Sequence, residues 1–287
     1  MSAPLTAGLP SLKATIEATG LRADKSLGQH FLTDPAILGR IAEAAGPLHD
    51  LTVLEVGPGP GGLTRALLDA GAQRVVAIER DPRCVAALQP LVDAAGGRLL
   101  VLAGDALALD HRRVVSGPCT IAANLPYNIG TELIVRWLRV PADIQRLVVL
   151  VQKEVGQRLQ AQPGTSAYGR LAVLAQWASR VEGLFDLPPG AFQPPPKVHS
   201  RLMRLTPYPS PPIPARLHSL ERITAAAFGQ RRKMLKTSLK AAHPDSLALC
   251  TLADIDPTRR AETLDLQAFA TLANALDQLT SQGPDQR

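Results

Sequence analysis

From Leu51 onward, short runs rich in β-branched residues alternate with stretches of helical pattern: LTVLEV, GLTRALLDAG, RVVAIE, DPRCVAALQPLV and RLLVLAGD follow in turn, separated by short connections. Apolar strand runs separated by helices are what a parallel sheet covered on both faces requires. CTIAAN and RLVVLVQ continue the alternation as fourth and fifth strands, with TELIVRWL as the helix between them. The first half of the chain is therefore expected to be a doubly wound α/β domain. Upstream, DPAILGRIAEAAG reads as a capped helix, with Asp34 at the N-cap, Pro35 in the first turn and Gly46 after the end. Downstream, FDLPPGAFQPPPKVHS is too rich in proline for a helix or a central strand and is expected as an extended loop at the sheet edge. After LTPYPSPPIPAR the pattern turns to helices alone. That stiff linker divides the chain into an N-terminal segment at 1–50, an α/β domain at 51–206 and a smaller all-helical domain at 207–287.

The loop Glu55-Val-Gly-Pro-Gly-Pro-Gly-Gly62 follows the first strand and opens a helix, where glycines let the backbone turn sharply and approach a ligand. Two templates fit it. Gly57, Gly59 and Gly62 match a dinucleotide loop, G-x-G-x-x-G. Glu55, Gly57, Gly59 and Gly61 match the E-x-G-x-G-x-G loop of S-adenosylmethionine-dependent methyltransferases. The second strand ends at Glu79, where a carboxylate can accept hydrogen bonds from both ribose hydroxyls of either cofactor. The third ends at Gly104-Asp105-Ala106, where Asp105 can accept from an adenine amine or simply cap the next helix.

The fourth strand separates the templates, because it runs as IAAN straight into Leu125-Pro126-Tyr127. Hydride transfer needs a nicotinamide pocket and a proton donor. An amide, a fixed kink and a flat ring instead suit a target adenine. The Asn124 side-chain oxygen and the Leu125 carbonyl can accept the two N–H bonds of its exocyclic amine, Pro126 fixes the second acceptor, and Tyr127 stacks on the base. A base hidden in structured RNA must be turned out to reach such a pocket. Phe192, on the proline-stiffened loop, is the expected second wall opposite Tyr127; the alternative is that it plugs the end of the core.

The formal net charge of +6 becomes informative through clustering. Arg216, Arg222, Arg231, Arg232, Lys233, Lys236 and Lys240 face a single acid, Glu221, between positions 216 and 240. Phe228-Gly-Gln-Arg-Arg-Lys-Met-Leu235 places part of this charge at a turn between helices, suited to phosphates. Arg22 and Lys25 add charge near the cofactor loop; Lys153 and Arg158 are as readily a solvated face as an RNA contact. Cys84, Cys119 and Cys250 are scattered, so neither a disulfide framework nor a metal site is supported. No run is long enough for a membrane span and the opening residues lack a secretory core, which makes the cytoplasm the default.

Taken together, Lys25-Ser-Leu-Gly-Gln-His-Phe-Leu32, Glu55 to Thr64, Asn124-Leu-Pro-Tyr-Asn-Ile129, Gln152-Lys-Glu-Val155 with Arg158, Tyr168-Gly-Arg170 and Phe192 with Pro194, Pro196 and Val198 resemble the ribosomal RNA adenine dimethyltransferases. The resemblance runs from about residue 20 to 275, with the motifs in the family's order. It is greatest to the branch that dimethylates two adjacent adenosines in the 3′-terminal hairpin loop of small-subunit (16S) ribosomal RNA. The resemblance implies a Rossmann-like methyltransferase domain with a helical RNA-binding domain, S-adenosylmethionine as cofactor, and action on 16S rRNA in the small subunit or its precursor; no heptad or sticky edge suggests an obligate dimer, so a monomer with no metal is expected. It also implies that Gln29, His30 and Leu32 pack over the cofactor, that Gly57 and its neighbours approach the methionine part, and that Glu79 takes the ribose. Asp105 with Ala106 would take the adenine, and Asn124 would face both cofactor and target. His30 stands where many members carry Asn; either can bond the methionine carboxylate, but His would make that contact pH-dependent. The large-subunit (23S) dimethylases and non-catalytic nucleic-acid-binding factors on the same fold are the alternatives.

Overall fold

The computed structural model describes residues 4–281, apart from the side chains of Lys25 and Ala142. The chain forms two compact units. The first runs to Gly156 and takes in Glu182–Pro207; the second comprises Gln157–Val181 and the chain from Tyr208 onward. The sequence assigned 157–181 to the α/β domain. These residues instead group with the helices because Tyr168 donates its hydroxyl to the Leu264 carbonyl and Trp177 its indole N–H to that of Ile213.

In the first unit the strands are β1 (Phe31–Leu32), β2 (Thr52–Val56), β3 (Arg74–Glu79), β4 (Leu99–Ala103), β5 (Cys119–Asn124), β6 (Ile144–Gln152), β7 (Ser179–Leu187), β8 (Phe192–Gln193) and β9 (Ser200–Pro207). Seven of them form one sheet in the order β4-β3-β2-β5-β6-β9-β7. The chain moves outward from β2 to β4, then returns to the other side of β2 as β5. That reversal opens a crevice beyond the carboxyl ends of β2 and β5, where open α/β sheets bind ligands. β2, β3, β4, β5 and β6 pair in parallel; the apolar runs of β2, β3, β5 and β6 are buried because helices cover both faces, whereas β4 at the sheet edge leaves Leu100 exposed.

Helix α1 (Leu12–Thr19) is capped by Ser11, and α2 (Pro35–Ala44) by Asp34, whose carboxylate accepts from the amides of Ala36 and Ile37. Leu38, Ile41 and Ala42 of α2 pack with Leu63, Leu67 and Leu68 of α3 (Gly62–Asp69), each large apolar side chain contributing about 1.5–3 kcal/mol on burial. DPRCVAALQPLV forms two short helices, Pro82–Ala87 and Gln89–Ala94.

The proline-rich stretch differs from the single loop expected. Its first residues close β7, its last opens β9, and between them β8 pairs antiparallel with β1, Leu32 opposite Phe192. β9 lies antiparallel to β6 with Gln152 opposite Ser200. Arg201–Asp186 and Arg204–Glu182 ion pairs tie β9 to β7. The prolines occupy the connection, where no ladder donor is needed.

The second unit is helical apart from the opening residues of β7. Its core includes Phe269 and Tyr168, bridged by the half-buried Phe228, which stacks on Phe269 with ring centroids 5.4 Å apart and is met edge-on by Tyr168 at 5.9 Å.

Candidate active site

One cleft lies at the crevice, and its lining brings together Gln29, His30, Leu32, Glu55, Gly57, Gly59, Glu79, Asp105, Ala106 and Asn124 with Leu125, Pro126 and Tyr127. Segments separated by about a hundred residues thus converge where the strand order reverses.

The glycine loop is shaped by contact as much as by turning. Gly59 has φ +56°, and a Cβ there would meet the Phe31 ring at 3.3 Å. At Gly62 a Cβ would lie 2.9 Å from the Leu32 carbonyl and from Leu12, so α3 can start against β1 only without a side chain. Glu79 holds the loop in place: one carboxylate oxygen accepts from the Gly59 amide at 2.9 Å and the other from Asp81 at 2.8 Å. Burial raises its pKa, against the pull of those amides. Each oxygen keeps a further lone pair, which suits a pair of ribose hydroxyls.

Glu55 is only 1% exposed. Burial raises its pKa to about 8, opposed by the Thr64 hydroxyl and amide and assisted by the Glu79 carboxylate. Its Oε2 and the neighbouring Thr64 Oγ1 both lack a partner of hydrogen-bonding geometry. An orphaned buried oxygen beside a glycine cradle of positive φ fits a polar ligand at this end of the cleft. Asp105 does not cap the next helix, whose N-cap is Asp110; it closes a turn instead, accepting from the Leu107 amide at 2.9 Å, and its other oxygen lies 3.5 Å from the Arg80 guanidinium.

The segment before β1 is latched across the cleft. Gln29 accepts from the Asp24 amide through its oxygen and donates to Asp81 at 2.9 Å through its nitrogen, so both polar ends are engaged within the protein. Asp81 is in turn gripped by Arg83, which with Gln29 holds its carboxyl well below the usual carboxylate range despite burial. His30 also departs from expectation. Its Nδ1 lies 2.7 Å from the Pro194 carbonyl, so an N–H on that nitrogen donates to the protein rather than to a ligand in the cleft. The ring lies beside Tyr127, centroids 5.6 Å apart and planes at 30°.

At the other end, Asn124 donates its amide nitrogen to the His30 main-chain carbonyl at 2.9 Å. With the nitrogen engaged, the side-chain oxygen is left as an acceptor, and among the described residues no donor reaches it. Leu125 spends its amide on the Leu150 carbonyl, while no described donor engages its own carbonyl. The Tyr127 hydroxyl lies 2.6 Å from Ser200 Oγ, and burial raises the phenol pKa, opposed by that contact.

Phe192 is corrected. It is 2% exposed and is not among the residues lining the cleft, because its ring is taken up by apolar packing in the core with Leu32, Leu187 and Leu202. Ser200, which no motif reasoning singled out, is the residue that sequence reading missed.

Of the basic residues, Arg22, Arg222, Arg232, Lys233 and Lys236 are exposed, whereas the Lys25 side chain lies outside the described residues. Arg222 donates to the Ala242 carbonyl. Arg231 is committed to structure, bonding Glu262 at 3.0 Å and the Thr165 carbonyl at 3.1 Å.

Comparison with known proteins identifies the family. Residues 20–278 match the family model described as ribosomal RNA adenine dimethylase. The chain is 53% identical over 270 residues to the ribosomal RNA small subunit methyltransferase A of Rhodospirillum rubrum, covering 94% of this chain and 93% of that protein. It is 52% identical to the protein of that name from Mesorhizobium japonicum, covering 94% and 99%. Among solved structures, a dimethyladenosine transferase from Plasmodium falciparum superposes with a TM-score of 0.74 at 27% identity, over 87% of this chain and 98% of that one. The 23S rRNA methyltransferase ErmE gives 0.65 at 28% identity, over 86% and 99%. With the cleft built from the motifs of that family and the match spanning almost the whole chain, this protein belongs to the ribosomal RNA adenine dimethylases.

Proposed function

We propose that the chain dimethylates the N6 amines of two adjacent adenosines in the 3′-terminal hairpin loop of 16S rRNA, within the small ribosomal subunit or its precursor in the cytoplasm, acting as a monomer. Bound in the cleft, S-adenosylmethionine supplies an electrophilic methyl group. Glu79 holds the ribose hydroxyls, Asp105 and Ala106 the adenine, and the Gly57–Gly59 turn approaches the methionine part. Glu55 contributes a buried oxygen at the same end.

The carrying observation is the orientation of Asn124. Its nitrogen is taken by a main-chain carbonyl, so its oxygen and that of Leu125 form a pair of open acceptors on one rigid turn. Aimed at the two N–H bonds of a flipped adenine, they favour a pyramidal, nucleophilic nitrogen and stabilise the charge that develops on it. No strong base is needed, since the methylated ammonium loses its proton readily. Tyr127 provides a stacking face worth roughly 1–3 kcal/mol. Exposed Arg232, Lys233, Lys236 and Arg222, with Arg22, supply phosphate contacts that give salt-dependent affinity with little sequence preference.

The small-subunit assignment is supported by the names of the relatives at about 52% identity. Its test is methyl transfer to small subunits from a strain lacking dimethyladenosine, beside large subunits and free RNA. Dimethyladenosine appearing only in the large-subunit RNA would overturn it.

A further inference from the structure

We infer that Ser200 is a positioning residue for methyl transfer, holding the Tyr127 ring in the plane on which the target base stacks. The inference rests on the acceptor role proposed above for the 124–127 turn. Tyr127 sits on the turn after β5, while Ser200 opens β9, two strands away in the sheet. Because β9 runs antiparallel to β6 and pairs Ser200 with Gln152, its first residue comes to the same edge as the carboxyl ends of the parallel strands. The phenol reaches past β6 to meet it at 2.6 Å.

Ser200 is 0% exposed. A buried hydroxyl without a partner is costly, and the partner this one has is the Tyr127 hydroxyl. The bond fixes the ring at its far end, and the turn fixes it at the near end through the Leu125 amide on Leu150. A ring held at both ends needs no ordering when a base arrives, so stacking energy is not lost to immobilising the platform. A ring free to swing would let the base drift from the two acceptors, and misplacement on the order of 1 Å can cost about a hundredfold in rate.

The experiment compares Ser200→Ala, Tyr127→Phe and the double variant in single-turnover transfer to unmethylated small subunits, with S-adenosylmethionine affinity measured by calorimetry and Tm recorded for each. Both single variants are expected to lose transfer by roughly tenfold or more, to the same extent, and the double variant to be no slower than either, because both remove one bond. Cofactor affinity is expected to stay within about twofold of the parent, since Ser200 touches nothing at the glycine-loop end; Ser200→Thr, which keeps the hydroxyl, should recover most of the rate. If Ser200→Ala fails to fold, Tyr127→Phe decides alone: transfer at the parental rate would overturn the inference. Losses that multiply in the double variant would overturn it as well. A parent protein that methylates no small subunit would instead defeat the functional reading, and the inference with it, which distinguishes the two failures.

Discussion

At the glycine-loop end of the cleft, the ligand-facing carboxylates are held by groups nearby in the chain: Asp105 by an amide two residues on, and Glu79 by amides two and twenty residues away. At the Asn124 end the holding groups come from far off, 94 residues away for Asn124 and 73 for Tyr127. The bonds that hold the carboxylates of the first end involve only β2, β3 and β4 and the turns after them, although the glycine loop there also abuts Phe31 and Leu32 of β1. The second needs β1, β5 and β9 to be in place together. The proposed acceptor turn therefore depends on more distant parts of the chain than the carboxylates of the proposed donor end do.

Substitutions at the two ends should separate accordingly. The largest effect is expected from Asn124→Ala, which removes one of two acceptors and should lower transfer by about a hundredfold or more while cofactor affinity by calorimetry stays near the parent value. Loss of cofactor binding in that variant would break the division between the ends. Gly62→Ala should act at the other end and on stability, costing about 1–3 kcal/mol as a lowered Tm, because its Cβ would press on the Leu32 carbonyl and Leu12.

Glu55 offers a gentler, pH-dependent probe. Its folded-state pKa is raised to about 8 from an ordinary 4.5, so between those values the unfolded chain gives up its proton first. Stability contributed by this group is present in full below the ordinary value and falls as pH rises through the window. Glu55→Gln should flatten that slope, read as Tm against pH from 5 to 8; parallel curves for parent and variant would show that burial leaves the acid ionised. The smallest effect is expected away from both ends. Lys233→Ala should reduce the slope of log affinity against log salt by about 1, nearly independent of RNA sequence, with transfer at saturating subunits unchanged.

The same contrast explains what could be read from the amino acids alone. Five parallel strands, the turn at Glu55–Gly62, Glu79 and Asp105 were visible because periodicity and glycine spacing are local properties. Asn124 to Tyr127 was visible because its chemistry is written in adjacent letters. The pairing of β8 with β1 and the packing of Phe192 in the core are long-range events that no spacing near Phe192 announces. Ser200 was hidden for the same reason, as one serine in a strand whose register against β6 alone gives it a partner. Arg231 looked like its neighbours in the basic run, but Glu262 lies 31 residues further on, and only folding brings the two together.

The oxygen that orients Asn124 belongs to the backbone at position 30. No exchange of the imidazole for another side chain can delete it, so the amide's direction is insulated from drift at that site. Turning the amide over would set oxygen against oxygen and strand an N–H, which discourages the reversed arrangement. The same insulation extends to base choice: a purine with a carbonyl at its sixth carbon would confront two lone-pair bearers with a third, and a rejection of that kind, built into the main chain, is expected to outlast changes in the residues around it.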